Sequence, residues 1–217
     1  MDKKLLTAAL FHNLRILKSI TPQDTYLEHY KIHIANSGDE FFDLYSLSWE
    51  FGSKNNPKKI MEIGVRTGLS ICQLLSSCFD FEDKRVVLFD RFDDGLCCPD
   101  LVRKHLKHLG IPTDFLEFYI GDSAETVPKF KETNEDKFDW VLVDGAHDPV
   151  CCKIDLDNVK DMVAKGGLIV FDDIASTVKK YGFNLRPAWN DFKEENYDNF
   201  IWHEDHIGKG TAWGIKR

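Results

Sequence analysis

The sequence predicts an α/β fold: a doubly wound, mostly parallel sheet of seven strands, with N-terminal helices and a C-terminal antiparallel hairpin. Two observations lead to this fold class. Short apolar runs, typical of strands buried on both faces, alternate with helical stretches from about residue 59 to residue 173. Near the C-terminus, two apolar runs flank Gly208-Lys209-Gly210 without a helix between them, which indicates a hairpin beside the parallel sheet.

The N-terminal residues 1–57 are expected to form a helical cap, followed by a cofactor-binding α/β core over residues 58–217 of the same single domain. Apolar residues at 41–47 support one helix, which the turn-formers from Gly52 onwards are predicted to end. An earlier stripe of four leucines has helical spacing and offers a surface for a homodimer: Leu6, Leu10, Leu14 and Leu17.

The composition suits one globular domain and argues against two classes of partner. With 217 residues, 43% of them hydrophobic, the chain can bury a sizeable core. Its 36 acidic residues outnumber 28 basic ones, whereas nucleic-acid binders usually show a basic surplus. No apolar run approaches the length of a membrane span. The first residues superficially resemble a signal peptide, but polar residues interrupt the apolar stretch early, so we expect a cytoplasmic protein.

Six cysteines are present and none forms a C-x-x-C pair, so reduced thiols in a reducing compartment are expected. The usual zinc-ligand spacings are absent. A zinc site nevertheless stays an alternative for the two adjacent pairs, Cys97 with Cys98 and Cys151 with Cys152. His105 and His108 lie three residues apart on a predicted helix, where a metal pair and a solvated helix face are the two alternatives.

The first predicted strand, residues 59–63, leads into a glycine turn and then a helix. Gly64 and Gly68 lie in this turn, which does not match the sequence G-x-G-x-x-G. Strand, glycine turn and helix is the arrangement that cradles a nucleotide-like ligand, because glycines allow close backbone approach and the helix N-terminus offers free N–H groups. Glu62, just before the turn, would point a carboxylate at that ligand.

Two further strands are predicted to end at the same edge of the sheet. Residues 85–90 end in Asp90, which lies 22 residues after the second glycine of the turn, near the distance at which an acidic strand end meets a ribose. A loop aspartate is the alternative. Residues 115–120 precede Asp122 and Ser123, which are good helix starters and, at this edge, candidates for bonding an adenine.

Residues 138–173 indicate a strand, a helix and a second strand, which is a βαβ unit with parallel neighbours. The first strand is the apolar run at 140–143. The helical periodicity extends to Val163, and Gly166-Gly167 are predicted to break the helix before a strand at 168–171. Beyond this unit, residues 186–192 predict a helix with a proline near its start.

Three aspartates follow the two strands of this unit and would converge on one crevice: Asp144, Asp172 and Asp173. Two like charges about 4 Å apart repel by roughly 4 kcal/mol at an effective dielectric near 20. Three arrangements would relieve this repulsion: one carboxyl is protonated, the groups lie farther apart, or a cation lies between them. In the last case Mg²⁺, Mn²⁺ or Ca²⁺ would suit the oxygen ligands. The alternative is that one aspartate caps a helix and the others are solvated.

Taken together, these motifs resemble the class I S-adenosylmethionine-dependent methyltransferases, whose fold is a Rossmann-like seven-stranded sheet. The stretch EIGVRTG is similar to the family's first motif, with Arg66 in place of the middle glycine. The resemblance implies that S-adenosylmethionine binds along the strand ends, with Asp90 at the ribose. The implied cofactor residues are Glu62, Gly64, Arg66, Thr67, Gly68, Ser70, Asp90, Arg91, Asp122, Ser123 and Asp144.

The stretches VDGAH and FDD most resemble metal-dependent O-methyltransferases, nearest the macrocin type that methylates sugars and other hydroxyls. The resemblance implies Mg²⁺ (or Mn²⁺ or Ca²⁺) on Asp144, Asp172 and Asp173, and a small-molecule or sugar hydroxyl as acceptor. Relatives often have an acidic residue where this chain has Ala146. His147 is then either the general base or a structural brace of the Asp144 loop.

Three other functions compete with this interpretation. A nucleotide-dependent oxidoreductase would share the sheet, but the G-x-G-x-x-G fingerprint is absent. A nucleic-acid methyltransferase is disfavoured by the acidic net charge of −8. The third alternative is a non-catalytic partner protein that binds S-adenosylmethionine. Only a measurement of turnover would distinguish it from an enzyme. The acceptor pocket is expected from the N-terminal helices and residues 179–199, which carry no readable code.

Overall fold

The computed structural model describes residues 44–95, 97–174, 184–192, 197–203 and 210–217, together with residues 8–9, 12–13, 15–17 and 20. The helices with defined bounds are α1 Leu44–Asn55, α2 Leu69–Ser77, α3 Pro99–His108, α4 Ser123–Thr133, α5 Pro149–Val159 and α6 Arg186–Phe192. The strands are β1 Lys59–Ile63, β2 Arg85–Asp90, β3 Leu116–Ile120, β4 Phe138–Val143, β5 Val163–Phe171, β6 Tyr197–His203 and β7 Thr211–Lys216.

The chain forms two compact units. The first comprises residues 1–57, 66–82 and 92–115, and the second comprises residues 58–65, 83–91 and 116–217. Every strand belongs to the second unit, and α1, α2 and α3 belong to the first. The predicted boundary at residue 57 and the single-domain organisation stay predictions.

Within the first unit, α1 packs closely against α2 at Gly52. A Cβ atom at this position would lie 2.0 Å from Ser77 Oγ and 2.7 Å from the Leu74 carbonyl oxygen. The helix does not end at the first predicted turn-former, Gly52, which serves close helix packing. It ends at Asn55, the start of the second predicted group of turn-formers at residues 55–57. Leu17 is buried, whereas Leu6, Leu10 and Leu14 of the leucine stripe lie outside the described residues.

The second unit is built on a seven-stranded sheet in the order β3-β2-β1-β4-β5-β7-β6. Strands β1 to β5 pair in parallel, and β7 pairs antiparallel with both β5 and β6. This confirms the predicted α/β sheet and its C-terminal hairpin. The chain runs outward from β1 to β3 and then returns to the other side of β1 as β4. Open sheets bind ligands outside the carboxyl ends of the strands at this reversal.

The core of the second unit lies between the sheet and the helices α4, α5 and α6. Phe89, Tyr119 and Phe130 form one aromatic group, with ring centroids 5.0 to 5.5 Å apart. Trp189 stacks on Phe171 from the other end of the sheet. Burying a large apolar side chain contributes about 1.5–3 kcal/mol, so these contacts fix the sheet that carries the strand ends.

The beginning of β5 differs from the prediction. The periodicity predicts a helix as far as Val163, but α5 ends at Val159 and the strand starts at Val163, with both glycines inside it. Val163 pairs with Phe138, and the register shifts before Trp140. A Cβ atom at Gly167 would lie 2.9 Å from the Phe138 carbonyl oxygen. The two glycines therefore permit an irregular strand. The sequence pattern alone indicates that they end a helix.

Among the helices in the described ranges, we find no segment with the length and apolar character that a membrane crossing requires.

Candidate functional site

The loop after β4 carries Asp144 and His147 and is held at several points of its backbone. The Asp144 N–H donates to the Ile63 carbonyl at 2.8 Å, and the Cys152 thiol donates to the Ala146 carbonyl at 2.7 Å. Burial raises the pKa of the Cys152 thiol to about 12, so this donor keeps its proton at neutral pH. The loop is therefore presented in one conformation at the carboxyl end of the sheet.

Gly64 makes the contact between the loop after β1 and the loop after β4 possible. Its φ is +87°, and a Cβ atom there would lie 1.9 Å from the Asp144 carbonyl oxygen. Only glycine adopts this backbone readily and leaves room for that carbonyl. The predicted role of Gly64 in close backbone approach thus has a defined neighbour, which is the Asp144 loop.

Asp144, His147 and Asp173 lie together, and we call them the Asp–His–Asp group. His147 Nε2 is 3.0 Å from Asp173 Oδ2 and 3.6 Å from Asp144 Oδ1. One potential ligand atom of each residue lies within 4.8 Å of the others. The Asp173 side chain is only 3% exposed and the His147 side chain is 41% exposed. A buried carboxylate thus faces a histidine that is open to an incoming molecule.

Asp173 has a left-handed backbone, with φ at +53°. Aspartate and asparagine tolerate this region better than most residues. The residue follows β5, and its neighbour Asp172 is tied to β4 by a backbone hydrogen bond from its N–H to the Val143 carbonyl at 3.1 Å. The turn directs the Asp173 carboxylate toward His147.

Asp172 has a different neighbour. Its Oδ1 accepts a hydrogen bond from the Thr211 hydroxyl of β7 at 2.6 Å, and it does not belong to the Asp–His–Asp group. The predicted set of three aspartate ligands is therefore brought together only in part. The assignment of Asp172 as a metal ligand stays a prediction.

The donors of this group suit a hard divalent ion, because carboxylate oxygens are the preferred ligands of Mg²⁺, Mn²⁺ and Ca²⁺. Among the described residues, it is the one group of histidine, cysteine, aspartate and glutamate side chains close enough to share an ion. The zinc alternative for the four cysteines therefore finds no support in the described part of the chain.

Other predicted residues of the second unit lie along the same strand ends. Glu62 is fully buried in β1, Asp90 is half-buried at the end of β2, and Arg91 is exposed after it. Asp122 is exposed and caps α4 by accepting a hydrogen bond from the Ala124 N–H at 2.9 Å. Ser123 beside it is half-buried. The helix-starting role of Asp122 is thus present, and its second role at a ligand stays a prediction.

The remaining predicted residues belong to the first unit and lie in the turn before α2. Arg66 and Gly68 have positive φ angles of 49° and 75°. Thr67 is buried, and its carbonyl oxygen lies 2.8 Å from His105 Nδ1 of α3. Burial lowers the pKa of His105, so its neutral ring donates this hydrogen bond. Ser70 is buried in the first turn of α2.

His105 therefore braces the predicted cofactor turn, a role that sequence reasoning missed. His108 faces the Lys104 carbonyl of its own helix at 2.9 Å and is exposed. This arrangement favours the solvated-face alternative for His108 over a metal pair. The signal available in the sequence was only that His105 shares the apolar face of α3 with Val102 and Leu106.

Asp155 of α5 is a second residue that sequence reasoning missed. It is 1% exposed, and neither carboxylate oxygen has a hydrogen-bond partner among the described residues. Burial raises its pKa to about 6, with Asp122 adding to the rise and the Ser123 hydroxyl opposing it. Cys152, Leu156 and Val159 share its buried helix face, so a charged residue within an apolar stripe was the available signal.

Comparisons with known proteins agree with this fold. A family model described as a methyltransferase domain matches residues 61–174. No curated protein matches the chain. Among solved structures, an O-methyltransferase from Bacillus cereus in complex with SAH is 14% identical, with a TM-score of 0.63 over 94% of this chain and 96% of that one.

Two further solved structures are similar in fold. TomG, an O-methyltransferase from Streptomyces achromogenes involved in tomaymycin synthesis, was solved with SAM; it is 15% identical, with a TM-score of 0.63 over 96% of this chain and 89% of that one. CalS11, a TDP-rhamnose 3′-O-methyltransferase of calicheamicin biosynthesis, is 20% identical, with a TM-score of 0.60 over 98% of this chain and 93% of that one.

Proposed function

The chain belongs to the methyltransferase domain family, and on that premise we propose that it transfers the methyl group of S-adenosylmethionine to a hydroxyl oxygen of a small molecule or sugar. The observation that carries the proposal is the Asp–His–Asp group at the ends of β4 and β5. The activities of TomG and CalS11 support an oxygen acceptor on a natural product or a nucleotide-linked sugar. Much of the chain expected to form the acceptor pocket lies outside the described residues, namely residues 179–183, residues 193–196 and most of the N-terminal helices, so the pocket stays a prediction.

The proposed cofactor residues of the second unit follow its strand ends. The bound sulfonium already activates its methyl group, so the chain has mainly to align the acceptor oxygen with it. In the second unit these residues are Glu62, Gly64, Asp90, Arg91, Asp122, Ser123 and Asp144. Arg66, Thr67, Gly68 and Ser70 belong to the first unit, and their assignment to the cofactor stays a prediction from the sequence.

The proposed metal ligands are Asp144, Asp172 and Asp173, with Thr211 orienting the second of them through its 2.6 Å hydrogen bond. A divalent ion held there supplies a Lewis acid that lowers the pKa of the acceptor hydroxyl. Convergence of Asp144 and Asp173 on one histidine supports this choice, because two neighbouring carboxylates need a nearby positive charge.

His147 is the proposed general base. In the neutral ring Nε2 donates its proton to Asp173 Oδ2 at 3.0 Å, so Nδ1 would accept the proton of the acceptor hydroxyl. Asp173 would then stabilise the imidazolium that forms. The 41% exposure of the ring leaves it accessible to an acceptor. Asp144 is the second proposed catalytic residue, and it is also a proposed metal ligand and cofactor contact.

The first experiment is a calorimetric titration of S-adenosylmethionine, Mn²⁺ and then both, followed by turnover on a panel of nucleotide-linked sugars and phenols. We expect Asp173→Asn to weaken Mn²⁺ binding at least about tenfold and turnover about a hundredfold, because asparagine keeps the left-handed backbone but loses the charge. His147→Ala should keep Mn²⁺ and cofactor binding and lower turnover by about 10²-fold or more.

Asp157→Asn is the matched control, since this exposed carboxylate of α5 contacts only lysines among the ion pairs of the described residues. It should match the wild-type protein in all three measurements. Normal turnover of His147→Ala would remove the general-base role. Normal Mn²⁺ binding by Asp173→Asn would remove the metal site, and cofactor binding without turnover on any acceptor would leave the non-catalytic partner protein.

A further inference from the structure

Asp155 is a buried titratable group that the proposed mechanism does not use. It lies in the second turn of α5, and its Oδ2 would be 3.1 Å from a Cβ atom built at Gly145. The carboxyl group therefore lies directly against the loop that carries Asp144 and His147. Neither of its oxygens has a hydrogen-bond partner among the described residues, although the residue is only 1% exposed.

We expect a carboxyl group in this position to destabilise the cofactor-free protein. Burial without donors disfavours the charged form, which agrees with a pKa raised to about 6. At neutral pH the group is nevertheless mostly ionised. An apolar or amide side chain of the same size would fit the same helix face at lower cost, so packing alone does not account for an acid here.

The surroundings of Asp155 indicate where its partner would come from. The Ser123 hydroxyl is close enough to lower the pKa of Asp155, but it does not reach hydrogen-bond geometry. Asp122, just before α4, raises the pKa of Asp155 instead. Cys151 and Cys152 of α5 also interact electrostatically with Asp155. The carboxyl thus lies between the loop after β3 and the loop after β4, both of which carry proposed cofactor residues.

We propose that Asp155 is a positioning residue for the adenine end of the cofactor and acts through Ser123. In the bound state the Asp155 carboxylate accepts a hydrogen bond from the Ser123 hydroxyl, which fixes the start of α4 beside the Asp144–His147 loop. The residue does not touch the cofactor and takes no part in methyl transfer. This inference rests on the proposed function, because it assigns the cofactor's adenine to the loop of Asp122 and Ser123.

The test compares the full-length wild-type chain with Asp155→Asn, which keeps the size of the side chain and removes its charge. We expect the cofactor-free variant to melt roughly 2–4 °C higher, because an unsolvated charge is lost. We expect its affinity for S-adenosylmethionine to fall about tenfold. A residue with a purely structural role would not raise stability and lower affinity together. 5′-Methylthioadenosine, which lacks the amino-acid portion, should lose affinity by the same factor.

Ser123→Ala should reproduce the loss of affinity, and the double variant should lose no more than either single variant, since the two side chains act as one unit. Asp157→Asn, on the exposed face of the same helix, should change neither melting temperature nor affinity. A stabilised Asp155→Asn variant with wild-type affinity would overturn the inference, and so would a destabilised one. Failure of the wild-type chain to bind S-adenosylmethionine would instead sink the proposed function and this inference together.

Discussion

The two ends of the sheet in the second unit use the same residue types in opposite ways. At the amino end, Arg85 donates to both oxygens of Glu117 at 2.7 and 2.9 Å and to Asp136 at 2.6 Å, and Lys59 also contacts Asp136 at 2.5 Å. These cations lower the pKa of Glu117 and of Asp136. At the carboxyl end, carboxylates gather around a histidine, and a further buried carboxyl has its pKa raised to about 6.

The two ends of the sheet therefore have different roles, one in stability and the other in binding. At the amino end each carboxylate has a cation within ion-pair distance, and the network ties the starts of β1, β2 and β3 to the segment before β4. At the carboxyl end the chain brings like charges together and buries one of them. Such an arrangement lowers stability unless a ligand compensates it. The carboxyl end is thus suited to binding, and the amino end to holding the sheet.

The largest effect is expected from Gly64→Ala, which would disrupt the carboxyl end. The new Cβ atom would lie 1.9 Å from the Asp144 carbonyl oxygen at a backbone φ of +87°. Strain and overpacking together should lower the free energy of unfolding by about 3 kcal/mol or more, measured by urea denaturation.

Gly110→Ala is a matched control for that substitution. Gly110 also has a positive φ, of +74°, but beyond Gly110 and its two chain neighbours no described residue would have a heavy atom within 4 Å of a Cβ atom at this position. The free energy of unfolding of Gly110→Ala should therefore fall by only about 1 kcal/mol, which is the cost of the left-handed backbone conformation alone. Equal losses in the two variants would show that the loop after β4 moves aside at no cost, and the contact between the two loops would lose its significance.

The next effect is expected from Arg85→Met at the amino end. The variant leaves Glu117 and Asp136 without their shared guanidinium, and all three side chains are about a third exposed, so we expect a loss of about 2 kcal/mol. The pKa of each carboxyl is lowered in the folded state, so its contribution is present above the usual values near 4 and is lost as pH falls through the lowered values.

The difference in unfolding free energy between the wild-type chain and Arg85→Met should therefore shrink below about pH 4, while affinity for S-adenosylmethionine stays unchanged at about pH 7.5. Lys153→Met removes an exposed ion pair of α5 and should cost less than about 0.5 kcal/mol. A loss of cofactor affinity in Arg85→Met would contradict the division of roles between the two ends.

A smaller loss of stability than in Gly64→Ala or Arg85→Met is expected from Thr211→Val, which removes the hydroxyl that donates to Asp172. Water can replace this donor because Asp172 is half-exposed, so we expect a loss of about 1 kcal/mol. If Asp172 is a metal ligand, Mn²⁺ affinity should fall roughly tenfold, since its orientation depends on Thr211. Unchanged Mn²⁺ affinity would remove Asp172 from the ligand set and leave His147 as the third donor.

The sheet could be predicted from the sequence because its strands are short apolar runs that end in glycine or aspartate. The helix at residues 186–192 was predicted with its observed bounds, since Pro187 marks its first turn. The start of β5 was missed because its irregularity depends on Gly167 meeting the Phe138 carbonyl, a contact between strands. Local periodicity carries no information about such a contact.

The candidate site was predictable to a similar degree. The sequence placed Asp144 and Asp173 at one edge, because the ends of parallel strands meet there. It did not indicate that Thr211 holds Asp172, since a β7 residue reaches the end of β5 only through the pairing of the two strands. It also did not indicate that Asp155 lies beneath Gly145. Side-chain contacts of this kind follow from tertiary packing, which spacing along the chain does not encode.

The pairing of β1 with β4 also affects how the protein reaches this state. Lys59 and Asp139, which hydrogen-bond at the start of these strands, are 80 residues apart along the chain. Closing so long a segment costs entropy before any contact compensates it, so such pairings form late in folding. Gly64 therefore meets the Asp144 carbonyl only once most of the sheet exists. A nascent chain that has been synthesised as far as β3 lacks the site altogether, and a ligand can slow unfolding of the finished protein but cannot guide the early steps of folding.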